Sequence, residues 1–237
     1  MDICILNSGF GSRLKRYTEH MPKGMVPLSE TETLLSRQIN LLNQFGTHRY
    51  AITTGYLHEA IPSYLSRHFP ALDVTYFYNE AYATTNYIES LNRIGSSFED
   101  EIVLMHGDLV FSYEVSQEVL IQQDNTVIID STLPLPEKDF KARVRDGKVV
   151  EIGIDVFGAD CYACQPLYHL TKDFWNRWQE EIARFCREGN DKVYAENALN
   201  LLLETSTLIP LDVSGSLCME VDNEDDLKTA QEKVENK

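Results

Sequence analysis

The sequence predicts an α/β protein: a mainly parallel sheet with helices on both faces and an elaborated second half. Three observations predict it. Through residue 130, short β-rich runs alternate with segments of helical periodicity, the order that builds parallel strands through helical crossovers. Several helical segments carry a glycine stop or an early proline. Two β-rich runs end in small-residue loops, at the carboxyl edge where such sheets gather ligands.

The elements follow in order. Residues 2–6 (DICIL) form a first strand and stop at the loop NSGFGSR. Residues 33–46 carry apolar side chains at helical spacing and end on Gly46. Residues 49–55 read as a strand, 58–69 as a helix with Pro62 near its first turn, and 73–79 as a strand. Residues 86–94 are helical, 101–108 (EIVLMHGD) form an apolar strand ending in Gly-Asp, 112–123 a helix and 125–130 a strand. Residues 141–153 predict a hairpin turned at Asp146-Gly147. Residues 173–189 form a strongly amphipathic helix ending on Gly189, with Trp175 and Trp178 one turn apart and facing the core. Residues 193–204 are helical, TLIPLDV and LCMEVD are short strands, and a helix over 223–235 closes the chain. No repeat or clear linker divides the sequence, so 1–237 is expected to be one domain.

With 237 residues, 43% of them hydrophobic, the chain buries enough surface to fold unaided. Its formal charge of −16 repels nucleic acid and anionic membranes, so neither is an expected partner. A small anionic ligand remains compatible where local cations hold it. The five cysteines (Cys4, Cys161, Cys164, Cys186 and Cys218) are odd in number and spaced like no disulfide framework. Cys161 and Cys164 form a CxxC with only His169 nearby, so buried thiols are favoured over a metal or redox site. No charged leader and no apolar run of membrane length is present, and the expectation is a reduced cytoplasm.

The stretch NSGFGSRLKRYTEHMPKGMVPL (7–28) concentrates glycines and cations in an otherwise acidic chain. Gly9 and Gly11 let the backbone bend sharply and approach a ligand closely. Successive N–H groups in such a bend form an anion nest. Ser12 adds a hydroxyl, Arg13 and Lys23 add charge, and an arginine can grip two phosphate oxygens. This is a polyphosphate cradle. It is not the dinucleotide fingerprint, whose third glycine would fall at Leu14, and it lacks the Gly-Lys-Ser/Thr of a Walker loop.

From Leu6 to Leu28 the chain resembles the opening signature of the nucleotidyltransferases that make CDP-, UDP- or dTDP-linked small molecules: L-A-A-G-x-G-[ST]-R-L, then P-K. Leu6, Gly9, Gly11, Ser12, Arg13, Leu14, Pro22 and Lys23 match, while Asn7 and Ser8 replace the Ala-Ala pair. Three later segments follow in the family's order: TTGYLHE (53–59) with Gly55 and Tyr56, MHGDLVF (105–111) with Gly107 and Asp108, and MEVDNEDDL (219–227) with Asp222. NEAYATTNYIESL (79–91) is similar to a motif of the phosphocholine and aminoethylphosphonate cytidylyltransferase branch, Asn86 matching the first of its paired asparagines and Tyr87 replacing the second. VYAENALN (193–200) resembles another element of that branch. The resemblance implies a Rossmann-like mixed sheet of the nucleotide-diphospho-sugar transferase type. Residues 1–130 would be the nucleotide-binding half, and 131–237 the acceptor-binding half with the closing strand and helix.

The resemblance also implies roles. Leu6, Asn7, Ser8, Gly9, Gly11, Ser12, Arg13, Lys23, Gly55, Tyr56, Asn86 and Gly107 would form the nucleotide site. Asp108 and Asp222 would hold Mg²⁺, Lys23 would stabilise the α-phosphate, and Arg13 would hold the leaving pyrophosphate. Plainer readings stand beside these: Gly107-Asp108 as a turn, and Asn86 and Asp222 as helix caps. Asp225 and Asp226 read as first-turn residues that complement a helix dipole. Tyr194 and Glu196 can make a pocket for a cationic head group; equally, Tyr194 can be core and Glu196 a solvated helix face. Ala195 stands where the branch's choline enzymes have tryptophan, and Ile154 where relatives often carry lysine. Lys138, Lys141, Arg143 and Arg145 are candidate substitutes for that lysine. The expected activity is Mg²⁺-dependent transfer of CMP from CTP to a small phosphorylated or phosphonated acceptor, phosphocholine-like or aminoalkylphosphonate-like. The alternatives are a sugar-1-phosphate uridylyl- or thymidylyltransferase and a non-catalytic nucleotide-binding regulatory module.

Overall fold

The computed structural model describes residues 1–235, apart from the side chain of Lys15. Strand β1 (Asp2–Asn7) is buried along its whole length and divides its side chains between two cores. Ile3 and Ile5 face one core, Cys4 and Leu6 the other, as the two-residue period of a strand requires. A strand buried on both faces has no polar side to show, which is why DICIL reads as a continuous apolar run.

Helices α1 (Leu34–Leu42), α2 (Ala60–His68) and α4 (Tyr113–Leu120) supply the first core, through Leu35, Ile39, Ile61, Leu65, Val115 and Val119. Helices α3 (Tyr87–Ile94), α5 (Lys172–Arg187) and α6 (Ala195–Leu202) supply the second, through Ile88, Leu91, Phe174, Trp178, Ala198 and Leu199. Trp175 and Trp178 are fully buried there. Each indole N–H donates to a backbone carbonyl, of Gly95 and Ala195 respectively, which satisfies the one polar atom each ring carries.

The sheet is mixed. Strands β2 (Arg49–Thr54), β3 (Asp73–Tyr78) and β4 (Ile102–His106) join β1 in a parallel block ordered β4-β1-β2-β3. Beyond β4 lies the long strand β9 (Cys161–Leu170), antiparallel to it and to β6 (Thr126–Asp130), and β10 (Ile209–Asp212) closes that edge parallel to β6. No strand is expected from sequence where β9 lies. Its register against β6 shifts between Val127 and Ile128, so that Pro166, which has no N–H to offer a ladder, falls within a local irregularity.

The hairpin expected over 141–153 is present as β7 (Lys141–Arg145) and β8 (Lys148–Gly153), β7 adding to β9. Asp146 and Gly147 have φ of 50° and 72°, the left-handed pair that a two-residue hairpin turn demands. Cys161 and Cys164 are both buried on β9. A small second sheet pairs β5 (Leu109–Phe111) with β11 (Cys218–Glu220), and α7 (Glu224–Glu235) follows. A third apolar cluster joins Leu14, Val26 and Leu28 of the N-terminal loop to Val110, Val221, Leu227 and Ala230. No helix among the described residues is long and apolar enough to cross a membrane.

Candidate active site

The strand ends assemble the site. β1 runs directly into the glycine loop, and its neighbour β4 delivers His106, Gly107 and Asp108 beside it. The β5–β11 pairing then returns the C-terminal segment: the Val221 N–H donates to the Asp108 carbonyl at 3.0 Å. Asp222 thereby meets Asp108, although the two are far apart in sequence.

Lys23 is the third member. It opens a short 3-10 turn, Lys23–Met25, and its Nζ donates to Asp108 Oδ2 at 2.5 Å and to Asp222 Oδ1 at 2.9 Å. Arg13 Nη2 donates to the same Asp222 oxygen at 2.8 Å. Burial alone would push the Lys23 pKa down, but the two carboxylates outweigh it and hold the ammonium above its ordinary value. Burial would likewise raise the Asp108 carboxyl, yet the Lys23 charge and His106 hold it below the usual range. Both groups therefore stay ionised at neutral pH.

The loop itself is closed by its own backbone. Gly11 takes a left-handed φ of 63°, and its carbonyl accepts from the Leu14 N–H at 3.0 Å and the Thr18 hydroxyl at 2.9 Å. Gly55 and Tyr56 stand behind the loop rather than in the cavity wall. The Tyr56 N–H donates to the Ser8 carbonyl, its hydroxyl donates to the Glu19 carbonyl, and its ring lies 4.2 Å from that of Phe10. Gly107 and Asn7 are also behind the wall, the Asn7 amide lying against both Gly107 and Gly24.

Two cavities open on this cluster. The smaller, about 210 Å³, is walled by Leu6, Ser8, Gly9, Asn79, Tyr82 and Asn86 and reaches Tyr87, His106 and Asp108. The larger, about 680 Å³, runs from Gly9, Gly11, Ser12, Arg13 and Lys23 past Asp108, Glu220 and Asp222 to Lys138, Asp155 and Tyr194. Gly9, Tyr87, His106 and Asp108 belong to both. Asn86 is at once wall and cap: its Oδ1 accepts from the Tyr87 N–H at 2.8 Å at the start of α3.

Glu196 departs from the reading as a solvated helix face, and with Tyr194 it lines a further cavity of about 400 Å³. It is buried, and its carboxylate accepts from the hydroxyls of Tyr87 and Tyr168, the latter at 2.8 Å. Through these two bonds it braces α6 against α3 and β9. Tyr194 is partly exposed on the larger cavity, its ring 5.2 Å from that of Phe140, so it is not core. Of the four basic substitutes for the lysine absent at Ile154, only Lys138 lines the cavity. Lys141 is buried and donates to the Pro136 carbonyl at 2.7 Å, while Arg143 and Arg145 are engaged by Asp160.

His106, Glu220, Asn79 and Tyr82 were not singled out from sequence. A signal for the first two existed: His106 lies two residues before Asp108, and Glu220 two before Asp222. In extended chain such residues point to one side. His106 Nδ1 lies 3.3 Å from Glu220 Oε1. Burial opposes the imidazolium, but Glu220 and Asp108 outweigh it and raise the His106 pKa above its ordinary value. The Glu220 carboxyl is pushed up by burial and by Asp108, against the pull of His106.

A divalent cation fits these donors. Asp108 Oδ1 is buried with no hydrogen-bond partner. His106, Asp108 and Glu220 each offer a ligand atom within 4.8 Å of the others, and Asp222 adds a second carboxylate beside Asp108.

No family model matches the chain. CTP:phosphoglutamine cytidylyltransferase of Campylobacter jejuni is 24% identical over an alignment of 260 residues that covers 98% of this chain and 100% of that protein. The structure of CTP:phosphocholine cytidylyltransferase from Streptococcus pneumoniae matches with a TM-score of 0.76 at 18% identity, covering 98% of each chain. That of the inositol-1-phosphate CTP transferase from T. maritima matches with a TM-score of 0.75 at 17% identity, over 99% of this chain and 96% of that one. The chain is thus similar in sequence to nucleotidyltransferases, cytidylyltransferases among them, and shares its fold with those two structures.

Proposed function

We propose that the chain is a divalent-cation-dependent cytidylyltransferase that joins CMP from CTP to a small phosphorylated or phosphonated acceptor and releases pyrophosphate. Mg²⁺ is the ion favoured by the sequence reading. The observation that carries this is the meeting of Lys23, Asp108 and Asp222 in the larger cavity, with Asp108 also lining the smaller one. The smaller cavity suits a pyrimidine base, with the amides of Asn79 and Asn86 near its wall. The larger suits the phosphates at its glycine-loop end and the acceptor at its far end. An α-phosphate between the two would have the base on one side and the acceptor on the other.

The acceptor's phosphate or phosphonate oxygen is already a nucleophile, so no general base is required. Its lone pair attacks the α-phosphorus, the bond from phosphorus to the bridging oxygen breaks in line, and pyrophosphate leaves with the electron pair. Lys23 neutralises charge gathering at the α-phosphate, while Arg13 and the loop N–H groups hold the departing pyrophosphate. A bound divalent cation, held by Asp108 with Asp222 or with His106 and Glu220, supplies further charge neutralisation as a Lewis acid. At the acceptor end, Lys138 suits a phosphate, and Asp155 beside Tyr194 suits an ammonium group. The acceptor favoured by this pairing carries both charges.

The relatives also include sugar-phosphate guanylyl- and uridylyltransferases, so the nucleotide has to be tested directly. The experiment is pyrophosphate release with each of four NTPs against phosphorylated amino-alcohols, phosphonates and sugar phosphates, with products read by mass spectrometry. CTP with an amine-bearing acceptor is the expected pair. Turnover of UTP or dTTP with a sugar phosphate alone replaces this reading with the sugar nucleotide one. Cation-independent nucleotide binding without turnover replaces it with the regulatory one.

A further inference from the structure

Asp108 has two carboxylate oxygens in different circumstances. Oδ2 is taken by the Lys23 ammonium at 2.5 Å. Oδ1 is buried and has no hydrogen-bond partner. A buried carboxylate oxygen left unpaired is costly and calls for a cation or a donor. Asp222 is engaged on the Lys23 side of Asp108, its Oδ1 shared by Lys23 and Arg13. His106 and Glu220 are placed differently. The Tyr87 and His106 rings meet at a steep angle with centroids 4.7 Å apart, Glu220 is fixed on β11, and the ligand atoms of His106, Asp108 and Glu220 lie within 4.8 Å of one another.

We propose that His106, Asp108 and Glu220 form a resident divalent-cation site, distinct from the Asp108–Asp222 pair, whose mixed nitrogen and oxygen donors favour Mn²⁺ over Mg²⁺. The selectivity follows from ligand chemistry. Mg²⁺ demands oxygen ligands in near-ideal octahedral geometry and gives up water reluctantly. Imidazole suits first-row transition ions, and one nitrogen among three protein donors shifts the preference towards them. The site needs no nucleotide, since all three donors come from the protein and two of them are held by strands.

The test uses the full chain and the metal alone. Mn²⁺ is titrated into nucleotide-free protein and followed by electron paramagnetic resonance, with the nitrogen coupling read by electron spin-echo envelope modulation. One bound Mn²⁺ per chain with a directly bonded imidazole nitrogen is expected, and Mg²⁺ is expected to compete at least about tenfold more weakly. His106→Gln and Glu220→Gln should each weaken Mn²⁺ binding by about tenfold or more, and Asp222→Asn by much less. Bound Mn²⁺ without nitrogen coupling overturns the proposal. So does loss of Mn²⁺ in Asp222→Asn with retention in His106→Gln, or the absence of any binding without nucleotide. The unsubstituted protein's spectrum decides the matter even where a variant fails to fold. None of these readouts depends on turnover, so failure here leaves the proposed transfer reaction standing.

Discussion

Asn7 stands where the resembling signature has alanine, and it constrains two glycines. A Cβ on Gly107 would lie 2.2 Å from Asn7 Oδ1, and a Cβ on Gly24 would lie equally close to the same atom. Gly107→Ala should therefore cost about 1–3 kcal/mol by overpacking. The double variant Asn7→Ala, Gly107→Ala should regain most of that loss, and urea unfolding of the four-member cycle measures the coupling. Lys23→Ala should lower turnover about 10²–10³-fold, the scale of one preorganised charge, with pyrophosphate release as the assay and a melting curve as the folding control. The cradle was legible in sequence because its parts lie within seventeen residues of chain, where spacing alone places Gly9, Gly11, Arg13 and Lys23 together. His106 and Glu220 were marked only by their spacing to Asp108 and Asp222; that they meet depends on the β5–β11 pairing, which no local pattern encodes.

The parallel block was legible because each strand is followed by a helix with its own boundaries, and β9 was not because Gln165 and Pro166 interrupt the strand period. The block is pinned at its amino edge by an ion pair that spacing does not show. The Arg49 guanidinium on β2 grips Asp2 on β1 at 2.7 and 3.0 Å, and the N–H groups of Glu99 and Asp100 add two further bonds. Burial pushes this carboxyl up, but Arg49 and the two N–H groups outweigh it and hold it below the ordinary carboxylate value. A lowered carboxyl stabilises the fold above the unfolded pKa of about 3.9 and loses that contribution as pH falls through the folded value. Asp2→Asn should thus cost about 1–3 kcal/mol at neutral pH and flatten the loss of stability below about pH 4, read by urea unfolding across pH.

Across the whole molecule, the third apolar cluster binds the beginning of the chain to its end. Leu227 on α7 is 1% exposed and packs with Leu14, Val26 and Leu28 beneath the cradle. Leu227→Ala should cost about 2–5 kcal/mol. Because that packing underlies the loop, the variant should also raise the KM for CTP while leaving kcat less affected, as steady-state pyrophosphate release would show. The same junction bears on synthesis at the ribosome. Lys23 and the glycine turn are made well before Asp222 and the α7 residues that pack with Leu14. A nascent polypeptide therefore carries a half-built phosphate grip until Asp222 has emerged, and the cradle is among the last parts to reach its working arrangement.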